Sequence, residues 1–209
     1  MSKDMKKLLF YIEIPAGSSV KYELDEETGM LMADRFLHTQ MTYPANYGSI
    51  LGTQGKDGDP VDVLVLSSQP VIPGVGIKGH IIGMLEMEDE EGIDTKILAV
   101  PDKKVDPIYG LWESIDDVPR HILDVIEHFF NHYKELEPGK IVKTHGFKGR
   151  GVAEKEVMES FVEEEECGCC GDCSCGGGDC GCSEGKCAGK DCNGQCECKP
   201  DEKSKNKMK

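Results

Sequence analysis

The stretch Asp57-Gly58-Asp59-Pro60-Val61-Asp62-Val63 limits what this chain can fold into more than any other. Three carboxylates fall within six residues, beside a Gly and a Pro, and the apolar run Val61, Val63, Leu64, Val65, Leu66 grows out of them. Such a branched run reads as a buried strand, so the sheet that holds it must end in a crowd of acids. Asp57 and Asp59 are two apart, and extended backbone points both to one side. Asp62 has the opposite parity, but Gly58 and Pro60 bend the chain and can bring it round. Carboxylates ~4 Å apart at an effective dielectric of about 20 repel by roughly 4 kcal/mol. The cluster therefore calls for a cation, and oxygen-only ligands favour a hard one, Mg²⁺ or Mn²⁺. A solvated acidic turn is the bland alternative. A helix-loop-helix calcium loop is excluded, because it needs Gly at its sixth position and Glu at its twelfth. Those places hold Asp62 and Ser68, with Pro60 inside the loop.

The 209 residues are long enough for one sizeable core, yet they are not uniform. All eleven cysteines lie between Cys167 and Cys198. Residues 167–209 hold seven acids and seven lysines, so the formal charge of −15 falls on residues 1–166. So acidic a surface argues against nucleic acid or anionic membrane as a partner and suits a collector of divalent cations. Leu8-Leu9-Phe10-Tyr11-Ile12 follows two lysines, but Glu13 ends that run and no small-residue cleavage site follows. No stretch approaches the ~20 apolar residues of a membrane span. A cytoplasmic location is expected, with cysteines present as reduced thiols or metal ligands.

Along the chain, Leu8–Ile14 reads as a strand ended by Pro15-Ala16-Gly17. Val20–Leu24 alternates, with Lys21 and Glu23 on one face, and Met30–Phe36 returns after the turn at residues 25–29 as its hairpin partner carrying Arg35. Tyr43–Gly48 reads as an irregular aromatic loop. Ile81–Met87 and Ile93–Val100 flank an acidic turn that includes Asp89. Ile122, Val125, Ile126, Phe129, Phe130 and Tyr133 recur at helical spacing, with Asp116 or Asp117 as N-cap, Pro119 in the first turn and Pro138-Gly139 as the stop. A second helix is expected over Gly151–Glu165, with Val152, Val157 and Phe161 inward. Short strands first and helices later predict an α+β domain over residues 1–166, built on a small antiparallel β-barrel. Residues 167–209 contain no aromatic and almost nothing apolar besides cysteine. They form no packed core and read as a disordered or metal-organised tail.

Asp94 and Lys96 are two apart on an expected strand and share its face, with Asp89 just before them; Glu13 and Glu23 lie on early strands. Taken singly these are ordinary exposed charges. Interleaved with Lys21, Arg35, Lys96 and the Tyr133-Lys134 pair, they suit a metal together with a polyanion, since metals and cations jointly neutralise phosphoryl oxygens.

The ordered segments Glu13-Ile14-Pro15, Lys21-Tyr22-Glu23, Asp34-Arg35, Tyr43-Pro44-Ala45-Asn46-Tyr47-Gly48 and Asp57–Asp62 closely resemble the soluble family I inorganic pyrophosphatases. So do Asp89, Asp94-Thr95-Lys96, Ala99-Val100-Pro101 and His128–Lys134. The resemblance covers roughly residues 8–162. It implies that Asp57, Asp62 and Asp94 hold a tight Mg²⁺, with Asp62 bridging to a second ion and Asp59 beside the attacking water. It implies further that Asp89, Glu23 and Glu13 serve ions arriving with substrate. Lys21, Arg35, Tyr47, Lys96, Tyr133 and Lys134 become the phosphate clamp. A five-stranded, OB-like barrel flanked by helices and a homohexamer are likewise implied. Ile141 and Phe147 stand where many bacterial relatives carry Trp, a departure that touches packing and not chemistry. The implied activity is Mg²⁺-dependent hydrolysis of pyrophosphate to two orthophosphates. The alternative is a metal-binding or storage protein built on the same scaffold.

The tail repeats C-x-C at Cys167/Cys169, Cys173/Cys175, Cys180/Cys182 and Cys196/Cys198. Paired thiolates on a chain of small residues chelate soft cations, and Zn²⁺, Cu⁺ or Cd²⁺ would suit them. In composition the tail resembles metallothioneins. The odd cysteine count and the cytoplasmic expectation argue against a disulfide scaffold.

Overall fold

Apolar residues on both faces of the same strands give this chain two cores instead of one. The computed structural model describes residues 7–25, 27–55, 58–90 and 92–162, together with the backbone of 182–183 and 186–187. The chain divides after Val162 into two units. In the first, the strands are β1 (Leu8–Ile14), β2 (Val20–Asp25), β3 (Met30–Phe36), β4 (Asn46–Ile50), β5 (Asp62–Val65), β6 (Val75–Asp89), β7 (Gly92–Ile93), β8 (Lys96–Pro101) and β9 (Val142–Gly149). The helices are α1 (Arg120–His132) and α2 (Arg150–Ser160). In the second unit, a two-residue ladder pairs Cys182 with Cys187 and Ser183 with Lys186 (β10, β11). The tail's other features lie outside the described residues.

Strands β1, β4, β5, β8 and β6 pair in that order, and β6 returns to pair β1, so five strands close a ring. The long β6 also carries β7 and β9, and β2–β3 form a separate hairpin sheet. An antiparallel barrel is expected from the sequence, but β5 and β8 run parallel, Val63 beside Ile97. Parallel strands buried on both sides read as continuous apolar runs, and alternate residues here feed opposite cores. Val63, Val65, Ile97 and Ala99 join Phe10, Ile12, Ala153 and Val157. Leu64, Leu66, Leu98 and Val100 join Ile126, Phe129 and Phe130 of α1.

Other expectations need correcting. Asn46–Ile50, read as loop, is a buried strand (β4); its Asn, Gly and Ser hide the pattern. Asn46 is buried because its side chain accepts from the Ala16 and Val71 amides and donates to Ser67 Oγ and the Gln69 carbonyl. Asp117 does not cap α1. It closes a capping box with Ser114 on the short 3₁₀ turn Ile115–Asp117, and α1 starts after Pro119. The helix stops at His132, before Pro138, and Val125 faces outward at 42 % exposure. Helix α2 buries Ala153 and Val157 and leaves Val152 exposed. It ends at Ser160 because Phe161 turns extended and bridges to Thr53.

One glycine is dictated by packing. Gly48 on β4 lies opposite Ile12, and a Cβ there would sit 1.9 Å from the Tyr11 carbonyl oxygen. The same ladder slips between Ile12 and Ile14, which leaves Glu13 as the extra residue of a bulge in β1. Gly48→Ala is expected to destabilise the fold by about 3 kcal/mol, since two backbones must part to admit the methyl. An unchanged urea midpoint would contradict this close approach.

Candidate active site

Parallel pairing of β5 with β8 starts both strands at the same end of the sheet. Asp62 is the first residue of β5 and Lys96 the first of β8. The Lys96 ammonium, almost wholly buried, bonds both Asp62 and Asp94. Burial alone would lower its pKa, but the two carboxylates outweigh that and raise it above the ordinary lysine value. Asp94 belongs to the loop between β7 and β8 and not to a strand, its amide bonded to the Met87 carbonyl at 2.9 Å. Burial holds its carboxyl above the usual value despite Lys96, and the Asp62 charge adds to the effect. Asp89, expected in a turn, ends β6 and pairs with Lys134 at 3.1 Å.

These groups line a cavity of about 320 Å³. Eleven sequence-predicted residues meet there: Lys21, Glu23, Arg35, Tyr47, Asp59, Asp62, Asp89, Asp94, Lys96, Tyr133 and Lys134. Glu13 lines an adjoining cavity of about 340 Å³ that shares Asp59 and Asp62. Burial pushes its carboxyl up to about 7, and the Asp62 charge pushes the same way against a Ser49 hydrogen bond. Asp57 lies outside the described residues.

Among the described cavity residues, four with polar side chains, Tyr43, Glu90, Glu137 and Lys140, escaped the sequence analysis. Tyr43 links a wall of rings, 5.5 Å from Tyr47 and 4.9 Å from Phe129, which in turn stacks on Tyr133 at 5.1 Å. Burial raises the pKa of the Tyr47 and Tyr133 phenols, so both stay protonated as hydrogen-bond donors. Lys140 bonds Glu90, and Glu137 holds Arg35 at 2.8 Å. Glu90, Glu137 and Lys140 lie in or beside turns, where spacing carries no periodic signal. Asp34 lies at the edge, taking the Arg35 Nε–H at 2.7 Å with Lys21 Nζ 3.7 Å away.

Among the described residues the cavity wall carries five basic and seven acidic side chains, a formal charge of −2. Every base is already matched: Lys21 with Glu23, Arg35 with Asp34 and Glu137, Lys96 with Asp62 and Asp94, Lys134 with Asp89, Lys140 with Glu90. Among the described residues no three acids converge as a ready ligand set. Lys96 stands between Asp62 and Asp94 as a stand-in cation. The donors are all carboxylate oxygens, several of them held at an electrostatic cost, and this chemistry fits a hard divalent ion.

A cavity of this composition suits the handling of an anion brought in with divalent cations. The inorganic pyrophosphatase family model matches residues 10–164. The chain is 55 % identical over 150 residues to the inorganic pyrophosphatase of Aquifex pyrophilus, covering 72 % of this chain and 85 % of that one. It is 54 % identical over 153 residues to that of Thermoplasma volcanium, covering 73 % and 90 %. A solved inorganic pyrophosphatase from Helicobacter pylori matches it with a TM-score of 0.74 at 47 % identity, over 76 % of this chain and 94 % of that one. The chain belongs to the inorganic pyrophosphatase family and is an enzyme.

Lys96→Met would leave Asp62 and Asp94 facing each other without their cation. In chelator its stability is expected to fall by about 2 kcal/mol, a buried-pair loss discounted because the carboxylates are partly solvated. Added Mg²⁺ should narrow the gap. Equal urea midpoints for variant and parent in chelator would refute the stand-in role.

Proposed function

We propose that this cavity hydrolyses inorganic pyrophosphate to two orthophosphates with Mg²⁺. The observation that carries this is the complete pairing of cavity cations with carboxylates. A polyanion gains little from bases that are already neutralised unless the acids acquire other partners. Divalent ions are such partners, and they free the bases for phosphoryl oxygens.

Asp57, Asp62 and Asp94 would hold the tighter ion, and Asp89, Glu23 and Glu13 those that accompany substrate. When bound, Mg²⁺ supplies Lewis acidity, neutralising phosphoryl oxygens and acidifying water in its vicinity. Asp59 orients the attacking water and accepts its proton. The water oxygen bonds to phosphorus as the bridging P–O bond breaks, and the departing orthophosphate keeps the bridging oxygen. Lys21, Arg35, Lys96 and Lys134 take up the charge developing on it. Tyr47 and Tyr133, kept as neutral phenols by burial, donate hydrogen bonds without adding negative charge. A homohexamer accompanies this reading by family resemblance, and sedimentation velocity tests it.

The tail is the second part of the proposal: residues 167–209 bind soft cations such as Zn²⁺ or Cu⁺ through their C-x-C thiolates. The support is spacing alone, four such pairs in a stretch with almost no apolar residue besides cysteine.

Phosphate release from pyrophosphate is expected to vanish in excess chelator and return with Mg²⁺. Asp59→Asn should lower turnover by about 10²–10⁴-fold while pyrophosphate binding stays measurable. Near wild-type turnover would remove Asp59 from the mechanism. A chain ending at residue 166 should keep turnover within about twofold and lose Zn²⁺ uptake in metal analysis. Undiminished uptake would sink the tail's role.

A further inference from the structure

The turn after α1 delivers two groups of opposite charge to one cavity wall. The Glu137 amide bonds the Lys134 carbonyl at 2.9 Å, and the Lys140 amide bonds the Glu137 carbonyl at 3.2 Å, so Lys134 and Glu137 face the same space. Lys134 has a place in the clamp. Glu137 has none, although it is buried as deeply as Asp89 on the same wall: its side chain is 9 % exposed, against 27 % for Asp34 and Asp94.

Two features set Glu137 apart from the other cavity acids. It pairs with the half-exposed guanidinium of Arg35, 102 residues away, through Oε2 and Nη1. Its second oxygen, Oε1, is buried with no hydrogen-bond partner among the described residues. A buried carboxylate normally satisfies both oxygens, so one left over means that Glu137 is held for the bond its other oxygen makes. Asp34 grips the same guanidinium at Nε. The two acids thus take two different nitrogens of the planar fork, Nε and Nη1, which fixes its plane, while among the described residues Nη2 stays available to a phosphoryl oxygen. Asp34 is adjacent in sequence and partly solvated, so it cannot define that plane alone.

We propose that Glu137 is a positioning residue: it orients Arg35 for pyrophosphate and touches neither the substrate nor the ions. This rests on the reading of the cavity as the pyrophosphate site. Neutralising Glu137 acts in two directions. It strengthens the field felt by an anion, and it frees a long side chain to wander. Orientation is the larger effect, because a guanidinium binds by directed N–H bonds while its charge is diluted by solvent.

The experiment measures kcat and KM for pyrophosphate in Mg²⁺, with thermal midpoints, for Glu137→Ala and Glu137→Gln. Each is made in the parent chain and in an Arg35→Ala background. Glu137→Ala is expected to lower kcat/KM about 10-fold in the parent and less than about twofold without Arg35. Glu137→Gln keeps an acceptor for Nη1 and should recover most of the loss in the parent. A kcat/KM for Glu137→Ala within twofold of the parent, or the same loss in both backgrounds, would overturn the proposal. If Glu137→Ala does not fold, Glu137→Gln against Glu137→Asp carries the test. The Asp carboxylate is drawn back by one methylene and should lose more than Gln, again only where Arg35 is present; the opposite order would show that charge alone matters. Failure of the cavity reading would look different, with Arg35→Ala itself leaving kcat/KM unchanged.

Discussion

The ion pairs that Lys96 makes with Asp62 and Asp94 are the hinge of this structure. They require a lysine to be buried, two strands to begin side by side, and a loop to fold back onto the Met87 carbonyl. A parallel neighbour is what makes the first of these contacts. In an antiparallel ring the start of β5 would meet the end of its neighbour, and Asp62 would face the Pro101 end of β8. The closed sheet is therefore the device that sets acids and bases at bonding distance, beyond its role as a scaffold for the core.

Around that point the wall is built from separate parts of the chain. The hairpin β2–β3 brings Lys21, Glu23 and Arg35; the end of α1 and its turn bring Tyr133, Lys134 and Glu137; the ring of strands brings Tyr47, Asp62 and Lys96. Two cores hold these parts in register, one under α1 and one under α2. A chain of ring contacts from Tyr47 through Tyr43 and Phe129 to Tyr133 ties the sheet to the helix, so the two phenols are fixed by packing on their apolar sides.

Much of this was legible from residues alone where pattern and physics coincide. The run after Asp62 announced a buried strand, β1 and the β2–β3 hairpin appear over nearly the expected residues, and the Ile126–Phe130 face of α1 is inward. What stayed hidden has specific causes. β4 carries Asn46, Gly48 and Ser49, polar or small residues that tertiary hydrogen bonds make acceptable inside. β9 alternates lysine, threonine and histidine with little apolar content. The direction of β5 relative to β8 leaves no trace in composition. Glu137 was invisible because its importance comes from a partner 102 positions away, and no local spacing encodes that.

The bulge in β1 carries one more implication. A regular ladder between Ile12 and Ile14 would set Glu13 across from Tyr47; the bulge leaves it outside the pairing with β4, with its carboxylate accepting from the Ser49 hydroxyl. Here the strand trades regularity for reach. Shortening β1 by a single residue at this point would even out its pairing with β4 and withdraw the residue that meets Ser49, so the alignment of this segment with its neighbours decides which side chains line the adjoining cavity.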